Sequence, residues 1–467
     1  MKFCGKIYLT KEGERVIPKK EHEIAKKIAE AVALAGGTVY FVGGCVRDSL
    51  MGVPVYDVDI EVHGIDPDML ETILDEIGDR LEFGKSFGVY SLSGTHLDIA
   101  MPRRESVTGS GHKDFKINVD PYIGTENAAK RRDFTVNALM QNVLTGEIID
   151  HFGGQTDLKN GILRHVNSDS FAEDPLRVLR AAQFSARLCF DIAPETMLLC
   201  SKMELSHLSR ERVFAEMEKA LLKARKPSVF FEVLKNMGQL SVWFSELEAL
   251  IDLPQNQKYH TEGDVWVHTM MVLDEAAKRR EAAKQPLHFM ISALVHDIGK
   301  AVATTVGEDG TVHSYSHETL GIPNVKRFLL RLTSDKSITE YALNMTALHM
   351  KPNTMAHHSS AIKKTNALFD DALEPYDLIL LALSDAHGKT SVYDFVDTEP
   401  FLLERFKLYK ETMARPHVMG RDLIDAGITP GKDFSILLEY AHKLHLAGIQ
   451  KEDALRQTLS YSRKLLK

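Results

Sequence analysis

The chain has 467 residues, 44% of them hydrophobic, which suffices for about three domains with real cores and excludes a disordered polymer. Its formal net charge of −8 excludes a strongly basic nucleic-acid coat, though not local basic grooves. Four cysteines without a Cys-x-x-Cys pair give no disulfide framework, and no run approaches the ~18 apolar residues of a membrane span, so a reducing, cytoplasmic compartment and no membrane are expected. The opening MKFCGKIYLTKEGERVIPKK has no long apolar stretch and reads as no signal peptide.

In chain order, residues 1–155 mix β-rich runs with turns: TVYFVGG, YDVDIEV, VYSLSG, HLDIAM and GEIIDHFGG. From about residue 168 glycine thins out. Apolar residues then recur at three- and four-residue spacing, as in DPLRVLRAAQFSARL and RERVFAEMEKALLKA, which is the period of a helix. ARKPSVFFEVLKNMG restarts after a proline, and LPQNQKYHTEGD reads as a linker. The expected fold class is α+β: a head with a mixed sheet and helices over 1–155, then an all-α remainder. That remainder divides into a neck and body at 156–255, a histidine-bearing region at 256–390 and a tail at 391–467.

The segment YFVGGCVRDSLMGVPVYDVDIEV, residues 40–62, concentrates the chemistry. Asp57 and Asp59 are two apart, so on a strand their carboxylates share a face. Like charges that close repel, and burial would raise one pKa. A divalent cation removes that penalty, and Mg²⁺ is typically held by one or two carboxylates plus substrate phosphates. Asp98 in THLDIAM offers a third carboxylate from a neighbouring strand. An Asp-x-Asp alone is equally a strand end. Gly43 and Gly44, however, follow the apolar VYFV and precede the helix-like CVRDSLMG. A glycine turn at a helix start offers backbone N–H groups to an anion, and Arg47 adds a charge-assisted phosphate contact.

GGCVRD followed by DVD resembles the head of the polymerase-β-type nucleotidyltransferases. More narrowly, it resembles the bacterial class II tRNA nucleotidyltransferases, the CCA-adding enzymes, with their poly(A) polymerase relatives. KRRDFTVNALM (130–140), IIDHFGGQTDLKNGILR (148–164), EDPLRVLRAAQFSARL (173–188) and LSRERVFAEMEKAL (208–221) are similar to further family motifs, in family order, over about 175 residues. The resemblance implies a polymerase-β-like head in which Asp57 and Asp59 hold Mg²⁺, with Asp98 beside them. It implies nucleotide binding by Gly43, Gly44, Arg47, Asp48, Arg131 and Arg132, with Gly44, Arg47 and Arg132 on the triphosphate, while Asp133 and Asn137 hold the loop and sugar. An Arg-Arg pair alone is ordinarily a solvated patch.

Asp174, Arg177 and Arg180 are spaced by three and line one face of a helix whose first turn carries Pro175. On its own that spacing is an i,i+3 salt bridge worth ~0.2–0.5 kcal/mol. By the resemblance, Asp174 and Arg177 form a protein template that reads CTP and ATP, and Arg180 pairs with phosphate or braces the template. Many relatives carry an Arg where this chain has Gln183, which weakens a third cationic contact there; Lys130 is a candidate substitute. The polar stretch 101–121, with Gly109 and Gly111, corresponds to the flexible loop of full CCA-adding enzymes, or to an ordinary surface loop.

YHTEGDVWVHTMMVLD, ISALVHDIGKA and LALSDAHGK place His268, the adjacent His296 and Asp297, and Asp385 on three helical segments. Adjacent His-Asp before Ile-Gly-Lys resembles the HD-domain metal phosphohydrolases, with His317 and His349 as weaker additions. His plus carboxylate ligands suit Mn²⁺, Ni²⁺ or Zn²⁺, and such an ion generates a hydroxide nucleophile. The alternative is an inherited helical domain with a decayed site. GRDLIDAG in the tail reads as a phosphate-contacting helix start or as a packing element.

The implied function is template-independent addition of CCA to tRNA 3′ ends from CTP and ATP, with no obligate protein partner. Three alternatives are a poly(A) polymerase, a partial enzyme adding only CC or only A, and an RNA-binding HD phosphohydrolase.

Overall fold

A helix, α1 (Lys19–Leu34), opens the computed structural model, which describes residues 17–82, 88–107 and 115–465. The chain forms two compact units, Met1–Leu205 and Ser206–Lys467. In the first, β1 (Thr38–Val42) leads through Gly43 into α2 (Gly44–Leu50), and β2 (Val58–His63) follows. Helix α3 (Pro67–Ile77) starts with Pro67 at its first turn, where the missing N–H costs nothing. Next come β3 (Arg80–Glu82), β4 (Val89–Leu92), β5 (Leu97–Ala100), β6 (Arg103–Val107) and β7 (Phe115–Val119). Helix α4 (Thr125–Lys130), β8 (Met140–Asn142) and β9 (Ile148–Ile149) complete this part.

Seven of these strands form one sheet in the order β3-β4-β5-β2-β1-β8-β9. It is mixed: β2 runs parallel to β5 and antiparallel to β1. The α+β expectation with a mixed sheet therefore holds. Strands β6 and β7 make a separate antiparallel pair. The segment between them, with Gly109 and Gly111, lies outside the described residues.

The unit continues with α5 (Gly154–Asn160), α6 (Ser168–Ala172), α7 (Leu176–Leu188) and α8 (Pro194–Cys200). Phe134, fully buried, meets Phe171 of α6 and Phe184 of α7 edge-on at 5.7 and 5.8 Å, an aromatic seam that seats α7 against the Arg-Arg-Asp loop.

The second unit is helical apart from one two-stranded ladder among the described residues. It runs α9 (Arg210–Lys223), α10 (Ser228–Asn236), α11 (Leu240–Glu248), α12 (Val265–Ala277), α13 (Pro286–Val295), α14 (Lys300–Ala303), α15 (His317–Leu320), α16 (Ile322–Leu332) and α17 (Lys336–Leu348). Then follow α18 (Met350–His357), α19 (Ile362–Asp371), α20 (Pro375–His387), α21 (Glu399–Met413), α22 (Gly420–Asp425), α23 (Phe434–Leu446) and α24 (Lys451–Leu465). Asp264 caps α12 by accepting the Val267 N–H, which fixes the start of the helix that carries His268. The GRDLIDAG helix start, α22, buries Leu423 with Val418, Leu437, Ala441 and Ala454, a packing role. Among the described residues no helix is long and apolar enough to cross a membrane.

Candidate functional site

Asp59 of β2 stands directly opposite Asp98 of β5 in the parallel register. Asp57 does not share the strand as expected: the ladder begins where the Val58 N–H meets the His96 carbonyl, leaving Asp57 at an exposed bend one residue earlier. Burial pushes the half-buried Asp59 carboxyl up to about 6, against the pull of Arg132, and the charges of Asp98 and Asp57 add to the rise. Mutual repulsion at an open carboxylate patch is what a divalent cation relieves. Among the described residues these three are not drawn to ligand distance of one another, unlike the second site below.

Gly43 turns the chain with φ 71°, in the left-handed region. A Cβ there would lie 2.9 Å from the mobile end of the Arg132 guanidinium and 3.8 Å from the Asp59 carboxylate, so it is the left-handed backbone that favours glycine, with Arg132 and Asp59 close against the turn. Arg132 thus sits at the turn, beside Asp59, with one nitrogen 3.3 Å from Glu61. Arg131 points elsewhere and donates to the Arg103 carbonyl at 2.6 Å.

Arg47 is buried, at 3% exposure, rather than open to a phosphate groove. Its Nε and one terminal nitrogen hold Asp48 Oδ1 at 2.8 and 2.7 Å, the other donates to Asn137 Oδ1 at 2.5 Å, and the guanidinium lies 5.1 Å from the Phe184 ring. Asn137 Nδ2 donates onward to Asp133 Oδ1 at 2.9 Å, and Arg180 clasps Asp133 Oδ2 at 2.8 and 2.6 Å. One continuous chain of hydrogen bonds, Arg47–Asn137–Asp133–Arg180, therefore joins α2 to α7. Burial alone would raise the Asp133 carboxyl, but Arg180 and Asn137 hold it below its usual range.

The shared helix face expected for Asp174, Arg177 and Arg180 needs correcting. Pro175 offers no N–H and Asp174 Oδ1 accepts the Leu176 N–H at 3.1 Å, so α7 begins at Leu176 and Asp174 stands in the link before it. Arg177 donates to the carbonyls of Ser170 and Arg131, each at 2.7 Å. Gln183 is buried inside α7's packing, and its Nε2 has no hydrogen-bond partner.

The second site gathers more tightly. His268 of α12, His296 after α13 and Asp385 of α20 form one set of ligand atoms, and Asp297, His317 and His349 form another. Asp297 lies between them, 3.5 Å from His268 and 3.3 Å from His296 on one oxygen, 3.1 Å from His317 and 3.7 Å from His349 on the other. His296, His317 and His349 each donate Nδ1–H to the carbonyl three residues back, at 2.8, 2.9 and 2.7 Å. That fixes the tautomer and leaves Nε2 as a lone-pair donor turned to the centre, the orientation that metal-ligating histidines need. His296 Nε2 is buried without a hydrogen-bond partner, while Asp297 Oδ2 is ion-paired with Lys300. Burial would raise Asp297, but Lys300 and His296 hold it far below the carboxylate range; burial pushes His349 down to about 3. A cavity of about 280 Å³ opens onto Asp297, His317 and Asp385 and is also lined by His260, Lys300 and Lys389.

Sequence reasoning missed Glu262 and Lys300. Glu262, in the stretch read as a linker, stands 3.2 Å from His268 Nδ1, and Lys300 is 2.7 Å from Asp297. The lysine of His-Asp-Ile-Gly-Lys was a visible signal; Glu262 had only its nearness to His268 in sequence.

Residues 39–164 match the Poly A polymerase head domain, and residues 189–251 match the probable RNA and SrmB-binding site of polymerase A. The chain is 36% identical over 363 residues to the multifunctional CCA protein of Actinobacillus pleuropneumoniae serotype 5b (strain L20), covering 75% of this chain and 85% of that protein. It is 38% identical over 370 residues to the protein of that name from Pseudoalteromonas atlantica, covering 75% and 86%. In fold it is similar to the Thermotoga maritima CCA-adding enzyme complexed with tRNA, at TM-score 0.62 and 20% identity, over 95% of this chain and 96% of that one. Identity of that level across three quarters of its length makes the chain a member of the bacterial CCA-adding enzymes of the multifunctional CCA protein family.

Proposed function

We propose that the chain adds CCA to the 3′ ends of tRNA, drawing on CTP and ATP, and that it works in the cytoplasm. The observation that carries this is the Asp59–Asp98 pair set against the Gly43 turn and Arg132. Asp57 and Asp59, with Asp98 beside them, fit Mg²⁺, which when bound supplies charge neutralisation for attack of the tRNA 3′-hydroxyl on the α-phosphate with pyrophosphate leaving. Arg132 offers a cation to the triphosphate where Gly43 keeps the backbone close. Asp174 and Arg177 read the base edge. Arg47, Asn137, Asp133 and Arg180 hold the reading helix to the phosphate side. The functional division is the head at 1–155, the neck and body at 156–255, the HD region at 256–390 and the tail, for tRNA, at 391–467. The test supplies tRNAs ending before C, CC and CCA with labelled CTP and ATP. Stepwise completion of CCA supports the reading; a long A tail on unrelated RNA, or arrest after CC, overturns it.

A second reading concerns the other unit. The four imidazoles of His268, His296, His317 and His349 and the carboxylates of Asp297 and Asp385 fit Mn²⁺, Ni²⁺ or Zn²⁺, and the two neighbouring ligand sets, His268–His296–Asp385 and Asp297–His317–His349, fit a pair of ions. A bound ion there supplies a water of lowered pKa for phosphoester hydrolysis. Lys300 neutralises Asp297, and the carbonyl-held imidazoles keep their lone pairs inward. Hydrolysis of a phosphomonoester by the wild type with Mn²⁺ or Ni²⁺ supports this; none, together with no retained metal, makes the region structural.

A further inference from the structure

Strand β2 carries a second acid beyond Asp59, Glu61. Asp57, Asp59 and Glu61 alternate, and so does His63. Alternation puts Glu61 and His63 on the face that Asp59 presents. Both are buried, Glu61 at 8% exposure, an unusual place for a carboxylate unless it is paired. It is paired on both oxygens: Oε1 lies 2.7 Å from His63 Nε2, and Oε2 accepts from Arg132 at 3.3 Å. Tyr40, the cross-strand partner of Glu61 on β1, packs edge-on against the His63 ring at 5.4 Å. Burial would raise the Glu61 carboxyl, but His63 and Arg132 together hold it below its usual range.

This arrangement answers a problem set by the site itself. Arg132 lies at Gly43 and within reach of the field of Asp59, so an unrestrained guanidinium would swing onto the carboxylate patch and compete with a cation there. A second, buried carboxylate two residues along the strand holds it to the side. We infer that Glu61, fixed by His63, is a positioning residue that sets the Arg132 guanidinium at the Gly43 turn for the triphosphate. The inference rests on the nucleotidyl-transfer reading and on Arg132 as a triphosphate contact. Glu61 touches no reacting atom. Its removal therefore weakens nucleotide binding without touching base choice, and its effect passes through Arg132.

The experiment measures KM and kcat for CTP and ATP, and the CTP-to-UTP preference, in Glu61→Ala, Glu61→Gln, Arg132→Ala and the Glu61→Ala/Arg132→Ala double variant. A melting curve and tRNA binding for each confirm folding. Glu61→Ala should raise KM for both nucleotides about tenfold, with a smaller change in kcat, as expected for one lost charged hydrogen bond. Glu61→Gln keeps an acceptor for Arg132 and should recover part of the loss. Base preference should stay at the wild-type value, and Glu61→Ala should add little once Arg132 is gone. An unchanged KM in Glu61→Ala beside a raised KM in Arg132→Ala overturns the inference and leaves the Arg132 reading standing. An unchanged KM in Arg132→Ala overturns both. Equal effects of Glu61→Ala with and without Arg132, or a shifted base preference, mean that Glu61 acts by another route.

Discussion

Replacing Arg47 with alanine separates two roles for the first arginine of the glycine-rich segment. As a phosphate ligand it would matter only to nucleotide use. The structure instead encloses it among Asp48, Asn137 and Phe184. Alanine leaves the buried Asn137 Oδ1 without its donor, a cost of ~1–3 kcal/mol. It also removes a desolvated cation from the Phe184 ring, worth ~1–2 kcal/mol. Asp48 keeps 22% side-chain exposure and is repaid by water, so its loss adds ~1 kcal/mol or less. The sum is roughly 2–6 kcal/mol, and in a unit of this size ~2–4 °C accompanies each kcal/mol, so its melting point should fall by roughly 4–24 °C. Arg47→Lys should recover only part, because an ammonium cannot serve Asp48 and Asn137 through a planar fork. Calorimetry of the full chain reads the melting points, and hydrogen exchange in α2 and α7 assigns the transition to the first unit. A variant that melts within about 2 °C of the parent while KM rises for both CTP and ATP would refute the bracing argument and restore Arg47 to the phosphates.

Asp57→Ala and Asp59→Ala should each abolish CMP and AMP incorporation while tRNA binding, measured by filter retention, stays near the parent; near-normal incorporation removes the carboxylates from the mechanism. Asp174→Ala should raise UTP and GTP use relative to CTP and ATP by about ten- to a hundredfold, because an acceptor for the exocyclic amino group is gone; loss of CTP and ATP use with no relative gain for the others leaves Asp174 as a helix-start residue only. His296→Ala and Asp297→Ala should lose bound metal, read by mass spectrometry, together with any Mn²⁺- or Ni²⁺-dependent phosphatase activity, and CCA addition should survive in both. Gly299→Ala should do the same by a steric route, since its Cβ would overlap the His317 carbonyl oxygen, which sits on the helix bearing that ligand; unchanged metal content would show that α15 can shift without cost.

Much of the head was legible because its signals are local. The Gly-Gly turn, the alternating acids and the Arg-Arg-Asp loop each declare themselves within a few residues; β1, β4, β5 and β9 fall inside the β-rich runs, and β2 overruns its run by one residue, His63. What was not legible depends on partners distant in sequence. Strand β8, MQN, has no apolar alternation of its own and is a strand because Met140 and Gln141 pair with Val42 and Phe41. Arg47 reads as a phosphate contact until Asn137, 90 residues away, takes its donor. Asp174 reads as a helical residue until its side chain takes the Leu176 N–H and the helix starts two residues later. The convergence of His317 and His349 on Asp297 has no periodic signature at all, since α15 and the junction between α17 and α18 contribute single residues to a centre set by helix packing.

Those partners also divide the two arginines expected at the template, Arg177 as base reader and Arg180 as phosphate contact or brace. Arg180 is spent on a charge: Nε and one terminal nitrogen hold the buried Asp133 carboxylate, itself tied to Asn137. Turning Arg180 toward a nucleotide would strand a buried carboxylate, which costs several kcal/mol. Arg177 instead donates to two neutral carbonyls, those of Ser170 and Arg131. Exchanging a carbonyl for an acceptor on a base edge keeps the hydrogen-bond count, and each such bond has a net worth of only ~1 kcal/mol. Arg177 can therefore turn to a nucleotide at small cost while Arg180 holds α7 still. For the base-reading template proposed above, that split leaves one guanidinium free to exchange its neutral acceptors, on a helix held through Asp133.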